Sequence, residues 1–373
     1  MKKSLLALAA LTAFAGAASA QSTVTLSGNV KAGLASTKYS GGAAGTNGSA
    51  LGLADGSSRF ILSGSEDLGG GLRANFQVDT RFRIDDNGGA PTSSPLAGGA
   101  TFIGLSGKGG NLQIGKLDTH YCLGSDGHGV RSTALQASSC GILGFVGSVA
   151  APIANTSRSV NVIRYTAPRF GNVTVAGNYI TSFAGPEGAV GSPSKGKAVS
   201  FSAMYAAGPL TAGVSMWNAT GENQTSTAAR TGQKASTAMV NFNAGVATIG
   251  LTYDVSAQRA AAANAGFVDT KRTAWSVPVT VPMGAGTALL TYTKAGDTKT
   301  GATTNANTGA TLLSVGYDYA LSKRTTVGVS YARMANEAAA AYALYTQAAL
   351  NGTPNNAAGQ DPSQLYFGVR HAF

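Results

Sequence analysis

The stretch Leu72 to Arg83, LRANFQVDTRFR, constrains the fold more than any other. Leu72, Ala74, Phe76, Val78, Thr80 and Phe82 alternate with Arg73, Asn75, Gln77, Asp79, Arg81 and Arg83. Successive residues of a strand face opposite sides of a sheet. One side of this strand is therefore almost wholly apolar, and the other carries four charges and two amides. Taken alone, the twelve residues suit a soluble sandwich as well as a barrel with lipid outside and water inside. The pattern recurs, however. Val199, Phe201, Ala203 and Tyr205 oppose Ser200, Ser202 and Met204, and Leu313, Val315, Tyr317 and Tyr319 oppose Ser314, Gly316 and Asp318. Tyr and Phe cluster near strand ends, where rings at headgroup level are favourable.

The first residues tip the choice. Lys2 and Lys3, an apolar region from Leu5 to Ala18, and Ala18-Ser19-Ala20 before Gln21 read as a cleaved signal peptide over 1–20, leaving a single domain over 21–373. The apolar region falls short of the ~20 residues that span a bilayer, and no Cys follows the cleavage site for lipoprotein processing. After Gln21 no apolar run approaches spanning length, so any membrane crossing is made by strands. No Pro-rich linker or charge block divides the chain. Its 51 Gly, 11 Pro and only 12% charged residues describe many strands joined by turns. Without Lys2 and Lys3, 25 basic residues face 16 acidic ones, a net of +9. That sign suits nucleic acid, an anionic membrane surface or a path for anions. Export and the lack of a basic cluster interleaved with aromatics argue against nucleic acid.

Long and short gaps alternate along the chain. Strands are expected at Thr23–Thr37, Ser57–Glu66, Leu72–Arg83, Gly99–Gly107, Asn111–Leu117, Ser159–Ala167, Asn172–Ser182, Lys197–Ala207 and Leu210–Ala219. Further strands follow at Ala235–Asn243, Val246–Ser256, Thr270–Val281, Thr287–Gly296, Ala310–Ala320, Lys323–Met334 and Ser363–Phe373. Tyr39–Gly56 and Asp85–Gly98 read as loops. The fold class is all-β: a transmembrane antiparallel barrel of about sixteen strands with tight turns at one end and long loops at the other. No repeat of fixed period suggests a solenoid or propeller.

The closing segment, Gln364-Leu365-Tyr366-Phe367-Gly368-Val369-Arg370-His371-Ala372-Phe373, places Leu365, Phe367, Val369, His371 and Phe373 on one side. It resembles the recognition strand that the barrel-assembly machinery reads, with Phe373 as the assembly signal. Glu66 to Ala74, Phe102 to Gly107 and Arg158 to Phe170 resemble the general porins of β-proteobacteria, a likeness running the length of the mature chain. It implies a sixteen-stranded homotrimer in the outer membrane of a Gram-negative bacterium, bounded by lipid and lipopolysaccharide, that passes small hydrophilic solutes passively. Several such proteins prefer anions. One departure stands out. Where the family carries Phe-Gly-Arg-Gln, this chain has Gly98-Gly99-Ala100-Thr101, so one expected lumen arginine is missing.

Asp118 to Ser157 holds the position of the family's inward-folded third loop. It contains Asp118, His120, Asp126, His128 and Arg131, then an apolar run from Ile142 to Val149 that should pack on the inner wall. Opposite it, Lys31, Arg59, Arg81, Arg83, Arg158 and Arg164 fall on the polar side of strands or at the loop's edge. Fixed cations beside a narrow passage attract anions; the alternative is that they are solvated or paired with Asp79, Asp118 and Asp126. The only cysteines, Cys122 and Cys140, lie in this loop, and export favours a disulfide between them. Zinc is the competing reading, but their spacing with His120 and His128 matches no common zinc pattern, and no metal or cofactor is expected. An outer-membrane enzyme, or an exported adhesin or sugar-binding β-protein, is the alternative function class. His120, His128 and His371 are the only histidines, and no Gly-x-Ser-x-Gly elbow or phosphate-binding loop occurs, so no catalytic residues are assigned.

Overall fold

A computed structural model describes residues 23–42, 47–55, 58–82, 84, 96–119, 137–146, 158–182, 196–220, 231–262, 266–345 and 357–373. The expected signal peptide, together with Arg83, His120, Cys122, Asp126, His128 and Arg131, lies outside these residues. The strands are β1 (Thr23–Gly41), β2 (Gly48–Asp55), β3 (Ser58–Gly69), β4 (Leu72–Phe82), β5 (Thr101–Gly107), β6 (Gly110–Leu117), β7 (Ser159–Thr166), β8 (Val173–Ile180), β9 (Lys197–Ala207) and β10 (Leu210–Thr220). They continue as β11 (Thr231–Asn243), β12 (Thr248–Ala262), β13 (Gly266–Met283), β14 (Gly286–Ala295), β15 (Thr298–Thr300), β16 (Thr303–Asn305), β17 (Ala310–Ala320), β18 (Thr325–Asn336) and β19 (Gln360–Ala372). A four-residue helix, α1 (Cys140–Leu143), stands between β6 and β7.

Nineteen segments make sixteen staves. β2 and β3 pair in succession with the two halves of β1 and act as one interrupted strand. β15 prolongs β14 along β13, and β16 pairs back on β15 as a small hairpin. All pairings are antiparallel, and β19 pairs with both β18 and β1, so the sheet closes. At the seam Gly28 and Phe373 exchange two backbone hydrogen bonds of 3.1 Å. The Phe373 ring covers Gly28, where an added methyl would meet it at 2.7 Å. No helix among the described residues is long and apolar enough to cross a membrane.

Polarity is inverted relative to a soluble protein. Outward side chains such as Leu34, Ile103 and Phe367 are 52%, 66% and 58% exposed, while inward Thr293 and Ser314 are fully buried. Apolar surface left in water costs about 25 cal/mol per Å², so a belt this extensive requires lipid around it. Tyr165, Tyr205, Phe242, Tyr319 and Phe373 mark the belt's edge at the end where turns are short. In the opening stretch the alternation is as expected: Asp79 is 2% exposed and Phe76 is 37% exposed.

One segment read as a loop holds strand at both its ends. β1 runs on to Gly41, and β2 occupies part of Tyr39–Gly56. Across the β2/β3 break the register against β1 shifts by one residue, from Ala32 opposite Asp55 to Asn29 opposite Arg59. Such a bulge flips the pleat, so buried Ala54 and Arg59 both stand on the inner face despite their odd separation. The Ser58 hydroxyl spans the break, accepting from Lys31 N at 3.0 Å and donating to Lys31 O at 3.1 Å.

Candidate functional site

One inner wall, from β3 to β7, gathers cations. The β3–β4 register sets Arg59 directly opposite Arg81, an unfavourable like-charge pair. Asp79, two residues back along β4, offsets it: its Oδ2 lies 3.6 Å from Arg59 Nη1 and 3.3 Å from Arg81 Nη2. The carboxylate is sealed from solvent, whereas the arginine side chains keep 35% and 27% of their surface. Arg158 pairs with Asp118, Nε to Oδ1, at 2.9 Å. The charges of Arg158, Asp79 and Arg59 all act on Arg81, so these groups share one field.

The segment Gly98 to Thr101 lies in the middle of this cluster. Gly99 N donates to Asp79 O at 2.8 Å, Gln77 Nε2 to Ala100 O at 2.9 Å, and Lys116 Nζ to Gly98 O at 2.9 Å. A methyl at Gly99 would run into the Asp79 carboxylate. Lys116 feels the charges of Arg158, Arg81 and Asp79, so a cation not expected from the sequence joins the group. Strict alternation sets Lys116 with Leu112 and Ile114 on the lipid side. The signal that breaks it is Gly115, with a φ of +149° and a register shift between Gly115 and Leu117. Opposite the shift Asn161 takes a φ of +58°, a left-handed conformation that Asn tolerates.

Arg164 differs from the other arginines. Its Nε donates to Asn178 Oδ1 at 2.7 Å and its Nη2 to the carbonyl of Asp118. Asn178 Nδ2 donates to Ser200 Oγ at 2.8 Å, Ser200 Oγ donates to Thr119 O at 2.8 Å, and Thr119 and Ser159 share a 3.0 Å hydroxyl contact. Together these bonds fasten the loop's take-off to β7, β8 and β9. Lys31 is inward and buried on β1, opposite Arg370 of β19, so the basic wall extends across the seam.

The loop reappears on the far side. It leaves after the fifth stave and returns at the sixth, yet α1 touches β13, β14 and β17, the twelfth to fourteenth. Residues 137–146 therefore sit against the inner wall opposite the loop's take-off. Ile142, Leu143 and Val146 are buried on a wall of Ala274, Ala295, Leu312 and Met334, which agrees with the expected packing; the apolar run beyond Val146 lies outside the described residues. Arg272 Nη2 donates to Leu143 O at 3.2 Å and pairs with Asp254 Oδ2 at 2.9 Å, both side chains fully buried. Thr237 and Ser256 hydroxyls donate to the same carboxylate, each at 2.7 Å. The sequence reading did not single out this pair. Cys140, which opens α1, is buried and disulfide-bonded. His371 meets Thr325 Oγ1 at 2.9 Å on the outer face.

The comparisons agree with this geometry. A family profile described as Gram-negative porin matches residues 7–339. Outer membrane porin protein 32 of Delftia acidovorans is 30% identical over the whole of both chains. Among solved structures, an anion-selective porin from Comamonas acidovorans superposes with a TM-score of 0.75 at 23% identity, covering 95% of this chain and all of that one. OmpT of Vibrio cholerae, in a trimer form, gives 0.66 at 13% identity, covering 94% and 99%.

Proposed function

We propose, from the premise that this chain belongs to the Gram-negative porin family, that it forms a water-filled channel for passive diffusion of small hydrophilic solutes and ions, with a preference for anions. The supporting observation is the imbalance on the basic wall: five cations, Arg59, Arg81, Lys116, Arg158 and Arg164, stand beside two carboxylates, Asp79 and Asp118; Arg59, Arg81 and Arg158 pair with them, and the other two bond backbone carbonyls. A surplus of fixed positive charge beside a passage narrowed by the loop raises the local anion concentration and opposes cations. Arg59, Arg81, Lys116 and Arg158 set the sign, Lys31 extends the field, and Arg164 positions the loop. Arg83, Arg131 and Asp126 are further candidates for the same ring. The printed description of the Comamonas relative, anion-selective, points the same way.

Within this reading the chain is a channel and not an enzyme, needs no cofactor, and assembles as a homotrimer of the β-proteobacterial kind. A signal peptide over 1–20 is removed, and Phe373 presents the closing strand to the barrel-assembly machinery. Cys122 is the partner of Cys140, and their bond stiffens the loop by limiting its unfolded states.

Planar-bilayer recording of the refolded protein under a salt gradient tests the proposal. The reversal potential should report anion preference. A cation-preferring potential would overturn the sign, and the absence of conductance would overturn the channel. Reduction should shift the mobility of the peptide spanning Cys122 to Cys140; no shift removes the bond.

A further inference from the structure

On the outer face, at the end of the barrel with long loops, lysines line up across neighbouring strands. Lys234 of β11 stands opposite Ala257 of β12, Ala257 opposite Lys271 of β13, and Lys271 opposite Lys299 of β15. Directly opposed residues point to one face, and all three lysines are exposed. Lys271 and Lys299 are immediate cross-strand neighbours, an arrangement that destabilises a sheet unless something anionic sits against it. Among the described residues no ion pair supplies that charge. Asp269, two residues from Lys271 on β13, is engaged by Arg259 at 2.8 Å.

The row sits at the rim of the lipid belt. Exposed Lys294 of β14 is paired with Trp275 of β13 and lies two residues from Tyr292, and the Trp275 and Tyr292 rings are 5.3 Å apart. Aromatic pairs of this kind sit at headgroup level, which puts the lysines at the height of lipid phosphates. The opposite rim differs: exposed Glu66, Asp67, Arg73 and Lys108 mix the two signs there, and Arg73 pairs with Asp67 at 3.9 Å. Long loops of such barrels face the cell exterior.

We propose that Lys234, Lys271 and Lys299 form a docking site for the phosphate groups of outer-leaflet lipid headgroups. Three ammonium groups on a flat outer face grip a phosphate-bearing headgroup, while its acyl chains lie along the apolar belt below. The contact is electrostatic and weakens with salt.

The test titrates the refolded protein in neutral detergent with bis-phosphorylated lipid A and follows binding by native mass spectrometry. The K234Q/K271Q/K299Q protein should bind at least tenfold more weakly. K108Q/K323Q, which removes charge from the short-turn rim, should bind like the parent. Undiminished binding by the triple variant overturns the site. So does equal binding of dephosphorylated lipid A, which would mean apolar adhesion alone, or equally tight binding of inorganic phosphate, which would mean a free-anion site. If the triple variant fails to fold, Lys271→Gln should weaken binding about threefold and Lys271→Arg should not; parental binding by both overturns the proposal. Conductance in a neutral bilayer should be the same for the triple variant and the parent, so this test and that of the channel fail separately.

Discussion

On the inner wall from β3 to β7, five basic side chains stand beside two carboxylates and keep part of their surface in water, whereas on the inner wall from β12 to β17 one arginine meets one aspartate and both are sealed. Water screens an excess of one sign, so the first wall can hold a surplus. A sealed ion has no such recourse, and it needs a partner and a full set of hydrogen bonds. Asp254 accordingly collects Arg272, Thr237 and Ser256, while Asp79, though sealed as well, meets two partly exposed arginines at looser distances of 3.3 and 3.6 Å. In the proposed channel the first wall acts on what passes, and the second holds the segment around α1.

The sharpest way to break this contrast is Asp254→Asn. Leaving Arg272 sealed without its counter-charge should cost about 3–5 kcal/mol, read as a lower denaturant midpoint of the refolded barrel. A parental midpoint would mean the sealed pair holds nothing. Ile142→Ala, on the same wall, should weaken loop docking by about 2–3 kcal/mol, seen as faster hydrogen exchange in α1 and noisier open-channel current; unchanged exchange would place the loop's support elsewhere.

Changes on the basic wall should be smaller and should alter selectivity. Arg81→Gln with Arg158→Gln should lower the anion-to-cation permeability ratio about three- to tenfold, roughly 0.7–1.4 kcal/mol; an unchanged reversal potential would show that the ring lies elsewhere. Asp79→Asn has the opposite sign. Relieving Arg59 and Arg81 of their shared carboxylate should raise the ratio by about twofold, roughly 0.4 kcal/mol. If Asp79→Asn instead lowers the denaturant midpoint as far as Asp254→Asn does, the two walls do not differ as described.

Alternation alone was enough to read most of the sheet, since a residue between lipid and water must match its side, as Phe76 and Asp79 do. It failed where the pleat is interrupted. β2 has small or apolar residues on both faces, with Leu51 and Leu53 outward and Ala54 inward, so no polarity marks it as a strand. Lys116 has the parity of its lipid-facing neighbours, and only the backbone at Gly115 and the bulge opposite reveal its company. The docking wall was hidden for a different reason. An inward patch of Ala274, Leu312 and Met334 contradicts the rule that the inner side is polar, and it makes sense only once the loop covers it. Arg272 and Asp254 lie on paired strands, but their burial depends on α1, which sequence spacing does not place.

The seam has a temporal consequence. Asn29 of the first stave stands directly opposite Ala372 of the last, so the cylinder cannot be sealed piecemeal from nascent chain. Every intermediate before that final zippering carries two raw sheet edges, each a template for misassociation. Losing Phe373 would strip Gly28 of its ring and of both its backbone bonds there, leaving the join frayed at that end.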